Sequence, residues 1–275
     1  MKINFHSHSH YSDGKKTVKE LAKEINNAKI DYFALSDHDT PNGYHELKKL
    51  VKKTKLIPAI EITAKYDEDH FFHILGLNID PIKMEKELMK YGEKYNVSFE
   101  KAFNRFTKQN KHLKLNLSDY KVRSKWVNPW YLKYESEKQG HDVSNKNWPG
   151  DMHSHGLGAT LPEVIKIIHK CGGKAIWAHP FIIRNYIDEQ IDLNFKEVAK
   201  YFKEILSYGI DGLEAYYIQF DKRQQQFLLD LANKNDLMVT VGTDFHGKTG
   251  QEKKRPLFLE VNDKIAKKII SDIYK

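Results

Sequence analysis

Histidines and carboxylates recur at the ends of short apolar runs in this chain, and that recurrence limits the folds open to it. Seven runs are predicted as strands: Lys2–Phe5, Asp31–Ser36, Leu56–Thr63, Phe71–Leu77, Lys174–Ala178, Gly212–Tyr217 and Met238–Thr243. His6 and His8 close the first, and Asp13 follows in the next loop. Asp37-His38-Asp39 follows the second, Glu61 stands at the end of the third, and His73 lies in the fourth. His179 follows the fifth, and Asp244 and His246 follow the last. Such groups are costly inside apolar surroundings unless they are paired or coordinated. Their repeated placement at strand ends points to one shared pocket, because α/β folds of parallel strands build their sites there. One His-x-His pair alone would say little: fourteen histidines in 275 residues produce such spacings by chance, and His8/His10 and His153/His155 share it.

Helical patterns alternate with the strands, at Val18–Ala28, Gly43–Lys53, Leu161–Lys170, Phe195–Leu206 and Arg223–Asn233. A C-terminal amphipathic helix is expected over Asp263–Lys275. Seven strands with intervening helices predict a parallel α/β barrel rather than an open sheet. From about residue 80 to 159 the rhythm breaks. Helices are predicted at Met84–Tyr95 and Ser98–His112, followed by irregular chain around Asn128-Pro129 and Trp148-Pro149-Gly150. The expected organisation is a barrel of residues 1–79 and 160–275, with 80–159 as an inserted, mainly helical subdomain capping the substrate.

A single cysteine, Cys171, excludes a disulfide framework and a thiolate zinc finger. No apolar run approaches the ~18 residues needed to span a bilayer, and the opening MKINFHSHSH has no secretory h-region. A cytoplasmic protein is expected, with no membrane association and no obligate protein partner. Forty-five basic residues against 37 acidic ones leave a net charge of +8, which favours anionic partners.

The ordered motifs His6-Ser7-His8-Ser9, Ser12-Asp13-Gly14, Leu35-Ser36-Asp37-His38-Asp39-Thr40, Glu61-Ile62-Thr63, His73-Ile74-Leu75-Gly76, Ala178-His179-Pro180 and Thr243-Asp244-Phe245-His246-Gly247 resemble those of the PHP (polymerase and histidinol phosphatase) superfamily. They are most similar to its stand-alone metal-dependent phosphoesterases. The resemblance spans about residues 1–79 and 160–262. It implies a distorted seven-stranded (β/α) TIM-like barrel with two to three divalent ions. By that similarity His6, His8, Glu61 and Asp244 hold one metal, and Asp13, His38 and His246 a second. Glu61, His73 and His179 hold a third, with Glu61 bridging. A His-plus-carboxylate set without thiolate suits Zn, Mn or Fe.

The implied activity is hydrolysis of phosphate esters by a metal-bound hydroxide, for which Glu61, Asp13 and His246 are the catalytic candidates. Asp37 or Asp39 is expected to orient a ligand imidazole from behind. Three divalent ions against Asp13, Glu61 and Asp244 leave the pocket positive, which suits an anionic substrate. Residues 80–159 hold fifteen Lys/Arg and ten Asp/Glu. On the predicted helix from Ser98, Phe99, Phe103 and Phe106 share one face, and Lys101, Arg105, Lys108 and His112 the other. Trp126, Trp130 and Trp148 either stack on nucleobases or form a small local core. Arg105, Arg123, Arg184 and Arg223 are candidates for gripping phosphate. The expected substrate is a small phosphorylated molecule, a nucleotide or a short oligonucleotide end. The alternatives are a histidinol-phosphate phosphatase, an amide hydrolase on a related barrel, and a non-catalytic nucleic-acid-binding module. His10, His45, His70, His112, His141 and His169 fit none of the ligand positions, and surface or packing roles are expected for them.

Overall fold

The computed structural model describes residues 1–117, 129–144, 147–149, 152, 156–187, 189–247 and 255–275. Each of the seven predicted runs is a strand: β1 (Lys2–Asn4), β2 (Tyr32–Leu35), β3 (Lys55–Lys65), β4 (His70–Leu77), β5 (Lys174–Trp177), and, after the short β6 (Ile182–Asn185) and β7 (Gln190–Asp192), β8 (Gly212–Tyr217) and β9 (Met238–Gly242). Around the sheet they follow the order β1-β2-β3-β4-β5-β8-β9. The last returns to the first: the Phe5 amide donates to Val241 O at 3.1 Å, and Ser7 bridges Phe245 in parallel. The result is a nearly closed seven-stranded barrel. The two-residue β10 (Leu259–Glu260) adds to β1, and the β6–β7 hairpin extends from β4.

One strand departs from the parallel expectation. β4 runs antiparallel to both β3 and β5. Only Tyr66–Asp69 separate β3 from β4, whereas a parallel crossover needs roughly a dozen residues or more. The Asp67 carboxylate closes this turn by accepting from the Asp69 and His70 amides. β3 also runs past Thr63 to Lys65, so Glu61 sits inside its strand rather than at the end. Because β4 is reversed, the start of that strand lies at the barrel mouth, and His73 pairs with Thr63.

Ile3, Phe5, Ala34, Ile57, Leu75 and Ile176 belong to the apolar cluster that fills the barrel, closed off by Ala266, Ile269 and Ile273 of the C-terminal helix α8 (Asp263–Tyr274). The outer helices begin as the sequence dictates. Thr17 and Glu20 form a capping box on α1 (Val18–Ala28), Thr160 and Glu163 one on α5 (Leu161–Lys170), Asn194 and Glu197 one on α6 (Phe195–Ser207), and Asp221 and Gln224 one on α7 (Lys222–Lys234). α2 (Asn42–Leu50) covers the β2–β3 side.

Between β4 and α5 the two predicted helices are one. α3 (Pro81–Gln109) is continuous for 29 residues, capped by Asp80, whose carboxylate accepts from the Ile82 and Lys83 amides. The expected break near Val97 is absent: Ser98 stands inside the helix, with its hydroxyl turned back onto Tyr95 O at 2.9 Å instead of capping a new N-terminus. Pro129, read as irregular chain, instead opens α4 (Pro129–Lys138), since a proline at the first helical position costs no hydrogen bond. Phe99, Phe103 and Phe106 pack with Leu132, Trp148 and Met152 in an apolar cluster of their own. Trp148 is buried there and its indole N–H donates to Met152 O. It therefore serves packing rather than base stacking. Trp126 and the Trp130 side chain lie outside the described residues. Among the described residues no helix is long and apolar enough to cross a membrane.

Candidate metal centre

Glu61 projects from β3 into the barrel mouth and is ringed by five imidazoles. Its Oε2 lies 3.0 Å from His6 Nε2, 3.1 Å from His8 Nε2 and 3.3 Å from His38 Nδ1. Its Oε1 lies 3.1 Å from His73 Nδ1 and 3.3 Å from His179 Nε2. Asp244 Oδ1 approaches His8 Nε2 at 3.1 Å and His6 Nε2 at 3.4 Å. On the outer side Asp13 faces His246 Nε2 at 2.7 Å, with His8 Nδ1 at 3.6 Å and His38 Nε2 at 3.9 Å. All nine groups singled out in the sequence therefore meet in one place. Three sets are compact enough to share a cation: His6, His8, Glu61 and Asp244; His8, Asp13, His38 and His246; and His38, Glu61 and His73.

The donor chemistry fits metal ions. His6 Nε2, His8 Nε2 and Glu61 Oε2 are sealed from solvent, yet none has a hydrogen-bond partner among the described residues. Buried polar atoms are rarely left so without a reason. The other ring nitrogens are anchored. His6 Nδ1 faces the Glu214 carboxylate at 3.0 Å, His246 Nδ1 donates to Asp244 O at 2.8 Å, and His179 Nδ1 lies 3.3 Å from Ile182 O. Fixing Nδ1–H in this way leaves Nε2 as the lone-pair nitrogen, the arrangement that orients an imidazole toward a metal.

The electrostatics agree. Burial opposes charge on the acids, but His246 beside Asp13, His6 beside Glu61 and His246 beside Asp244 hold all three carboxyls well below their usual range. Burial also works against charge on His6 and His8. The carboxylates of Glu61 and Glu214 nonetheless raise His6, and those of Asp244 and Glu61 raise His8 to about 10. Burial pushes His38 down to about 3 despite Glu61, so it stays neutral. Without cations the ionised carboxylates keep protons on His6 and His8, and metal cations can replace those protons.

Backbone strain is concentrated here. Asp39, His179 and Asp244 have φ of 54°, 29° and 51°, in the left-handed region that non-glycine residues seldom enter.

The residues expected behind the ligands are placed differently from the reading. Asp37 accepts from the Ser9 amide at 2.7 Å, the Ser9 hydroxyl at 2.8 Å and the Ser12 hydroxyl at 2.8 Å, bracing the loop that carries His8 and Asp13. Asp39 accepts from the Thr63 amide at 3.1 Å, and its own amide donates to Glu61 O. Burial pushes the Asp39 carboxyl up to about 7, against the pull of the Thr63 N–H and with Glu61 adding to the rise. The carboxylate that orients an imidazole is Glu214, which sequence reading passed over. It is fully buried on β8, spans from His6 Nδ1 to the His179 amide, and was legible by the same signal as Glu61, an acid within an apolar strand. Gly242 makes room for it: a Cβ there would collide with the Glu214 carboxylate and lie 2.5 Å from His6 Cβ. Arg255 and Tyr217 were also missed. Arg255 pairs with Asp244, and the Tyr217 hydroxyl donates to Asp244 Oδ2 at 3.0 Å. Nothing in the periodicity around Arg255 marks it.

Of the arginine candidates, Arg184 of β6 stands two residues along from the metal cluster, opposite Phe71 and within electrostatic reach of His73. Its Nε is buried without a hydrogen-bond partner among the described residues. Arg105 and Arg223 are exposed on α3 and α7. Arg123, His153 and His155 lie outside the described residues. Elsewhere His70 sits on Asp67 and His169 on Asp211, while His141 packs edge-on to Phe106.

Comparison with known proteins gives a consistent answer. The family described as PHP domain matches residues 4–148. The 5'-3' exoribonuclease of Haemophilus influenzae is 30% identical over 266 residues, covering 89% of this chain and 90% of that protein. The 5'-3' exoribonuclease Rnm of Salmonella typhimurium is 25% identical, covering 88% of this chain and 84% of that protein. Among solved structures, a protein from Bifidobacterium adolescentis, named by inference as a metal-dependent phosphoesterase, superimposes with a TM-score of 0.72 at 22% identity, over 98% of this chain and 96% of that one. With more than half of its length matched by the family and a 30% identical relative along most of it, the chain belongs to the PHP domain family.

Proposed function

We propose that this chain hydrolyses phosphodiester bonds at the 5' ends of nucleic acid strands. The observation that carries the reading is Glu61, one buried carboxylate within 3.3 Å of five imidazoles. The names of the two exoribonuclease relatives supply the direction and the substrate class.

Two to three divalent ions of the Zn, Mn or Fe type, when bound, would polarise the phosphoryl oxygens and lower the pKa of a water. His6, His8, Glu61 and Asp244 would hold one, Asp13, His38 and His246 a second, and Glu61, His73 and His179 a third. Glu61, a catalytic candidate along with Asp13 and His246, would join the first and third of these sets. His246 keeps Nδ1–H on the Asp244 carbonyl, so its Nε2 is better suited to hold a cation beside Asp13 than to deliver a proton. Glu214 fixes the His6 ring and Arg255 balances Asp244. Their charges cancel, and the excess positive charge of the loaded pocket still favours an anionic substrate. Among the described residues Arg184 is the arginine candidate best placed to grip a phosphate.

The region from 80 to 159 would act as the cap. Lys15, whose amide donates to His246 O, rests its ammonium 4.4 Å from the Tyr134 ring of α4, which ties that helix to the loop carrying Asp13.

The test is a panel assayed with metal-loaded protein, with and without chelator: 5'-phosphorylated oligoribonucleotides, mononucleotides and histidinol phosphate. Release of 5'-mononucleotides from the oligomer, lost with chelator and restored by metal, is expected. Hydrolysis confined to phosphomonoesters would overturn the reading.

A further inference from the structure

Beyond the metal centre the face of the β3–β4 hairpin continues into a cavity of about 1000 Å³ beneath α3. Paired residues of an antiparallel hairpin point to the same face. Thr63 and His73 make the row beside Glu61, and Lys65 and Phe71 make the next, about 7 Å further on, with Arg184 opposite Phe71. Lys65 and Phe71 line the cavity. The surface on which the cluster stands is thus the floor of the cavity.

The opposite wall is α3, through Tyr91, Tyr95 and Ser98, with Lys94, Lys101 and Arg105 at its edge. Tyr186 stands at the rim with 53% of its surface exposed. The acids in the lining are engaged: Glu163 caps Thr160, and Glu68 pairs with Lys65. The wall is therefore aromatic and basic, the combination that holds single-stranded nucleic acid through stacking and backbone charge. Tyr95 offers only its ring to this wall, since its hydroxyl is sealed within the fold. The volume lies at the upper end for small-molecule pockets, more than one mononucleotide needs.

We infer that this cavity is a nucleotide-binding subsite, seating the nucleotides of a single strand that follow the phosphate held at the metal centre, with Tyr186 stacking on a base and Lys94 and Lys101 facing the backbone charge. The inference rests on the proposed action at 5' ends.

The probe is a five-nucleotide oligoribonucleotide with a 5'-phosphate, a 3'-fluorophore and a non-hydrolysable first linkage, titrated against the metal-loaded full chain. A labelled mononucleotide serves as reference. The five-mer is expected to bind at least about tenfold more tightly than the mononucleotide, the factor one stacked base supplies. Tyr186→Ala should remove about tenfold of that advantage. Lys94→Glu with Lys101→Glu should flatten the salt dependence by roughly 0.7 per lost phosphate contact.

A cleavable five-mer run in parallel separates this inference from the reading beneath it. If its 5' end is cleaved but the variants bind like wild type, the subsite is wrong and the reading stands. If wild type binds the five-mer and the variants lose it, yet no 5' cleavage occurs, the subsite stands and the reading fails. If wild type neither binds nor cleaves the five-mer, both fail.

Discussion

The barrel mouth and the wall under α3 solve opposite problems. Around Glu61 ligand-type side chains gather in three overlapping sets, with His179 3.3 Å from Glu61 beside them, backbone strain is accepted at Asp39, His179 and Asp244, and even the space for a methyl group at Gly242 is occupied by Glu214. Along α3 the basic residues are spaced on an exposed face, and the apolar stripe beneath packs into a separate small core. The first arrangement defines one geometry for cations of fixed radius. The second tolerates variation, as a surface must when it contacts a chain of differing bases. The difference teaches where sensitivity should lie: chemistry should fail on small changes at the mouth, and substrate preference should drift on changes along the helix.

Glu61→Gln gives the largest expected effect, a fall in turnover of roughly 10³-fold or more with the fold retained, read by phosphoester hydrolysis and circular dichroism. Near-normal turnover would contradict its central place. Phe103→Ala probes the other region. It should cost about 3–5 kcal/mol of local stability, seen as faster hydrogen exchange across residues 99–152 and slower exchange retained in β3 and β8. Uniform loosening of the barrel would show that the regions are not separable. Glu214→Gln is smaller, about 10–100-fold in metal affinity, and excess metal should restore activity. A loss that metal cannot rescue would assign Glu214 a different role.

The pH dependence of stability sharpens the contrast most gently. In metal-free protein His8 is raised from its ordinary 6.5 to about 10. The stability this supplies is complete below pH 6.5 and lost as pH rises toward 10. Thermal midpoints of chelated protein should therefore fall across that window. Metal-loaded protein, whose cluster holds cations in place of protons, should not follow. Parallel curves would mean that the cluster does not exchange one for the other.

The barrel and the convergence of the nine side chains were legible because they obey local rules. A charged or imidazole group at the end of an apolar strand announces itself, and the seven strands and six outer helices are periodic over whole elements. The reversed β4 was legible in principle from the shortness of the Tyr66–Asp69 turn, and Glu214 from its apolar setting in Gly212-Leu213-Glu214-Ala215. Arg255 was not, since it meets Asp244 through a tertiary contact that no periodicity marks. The cavity under α3 was equally hidden. Periodicity alone gives two helices in place of α3 and parallel strands in place of the hairpin that forms the floor. A continuous α3 facing an antiparallel hairpin creates that space, and neither element does so alone.

The account depends most on Glu61 organising several cations. Metal analysis of the purified full chain, beside the same analysis of Glu61→Gln and paired with phosphoester turnover, tests this directly. Wild type should carry two to three divalent ions per chain, losing them and its activity together on chelation, and Glu61→Gln should retain fewer. Full activity in protein stripped of metal, or an unchanged metal content in Glu61→Gln, would contradict it.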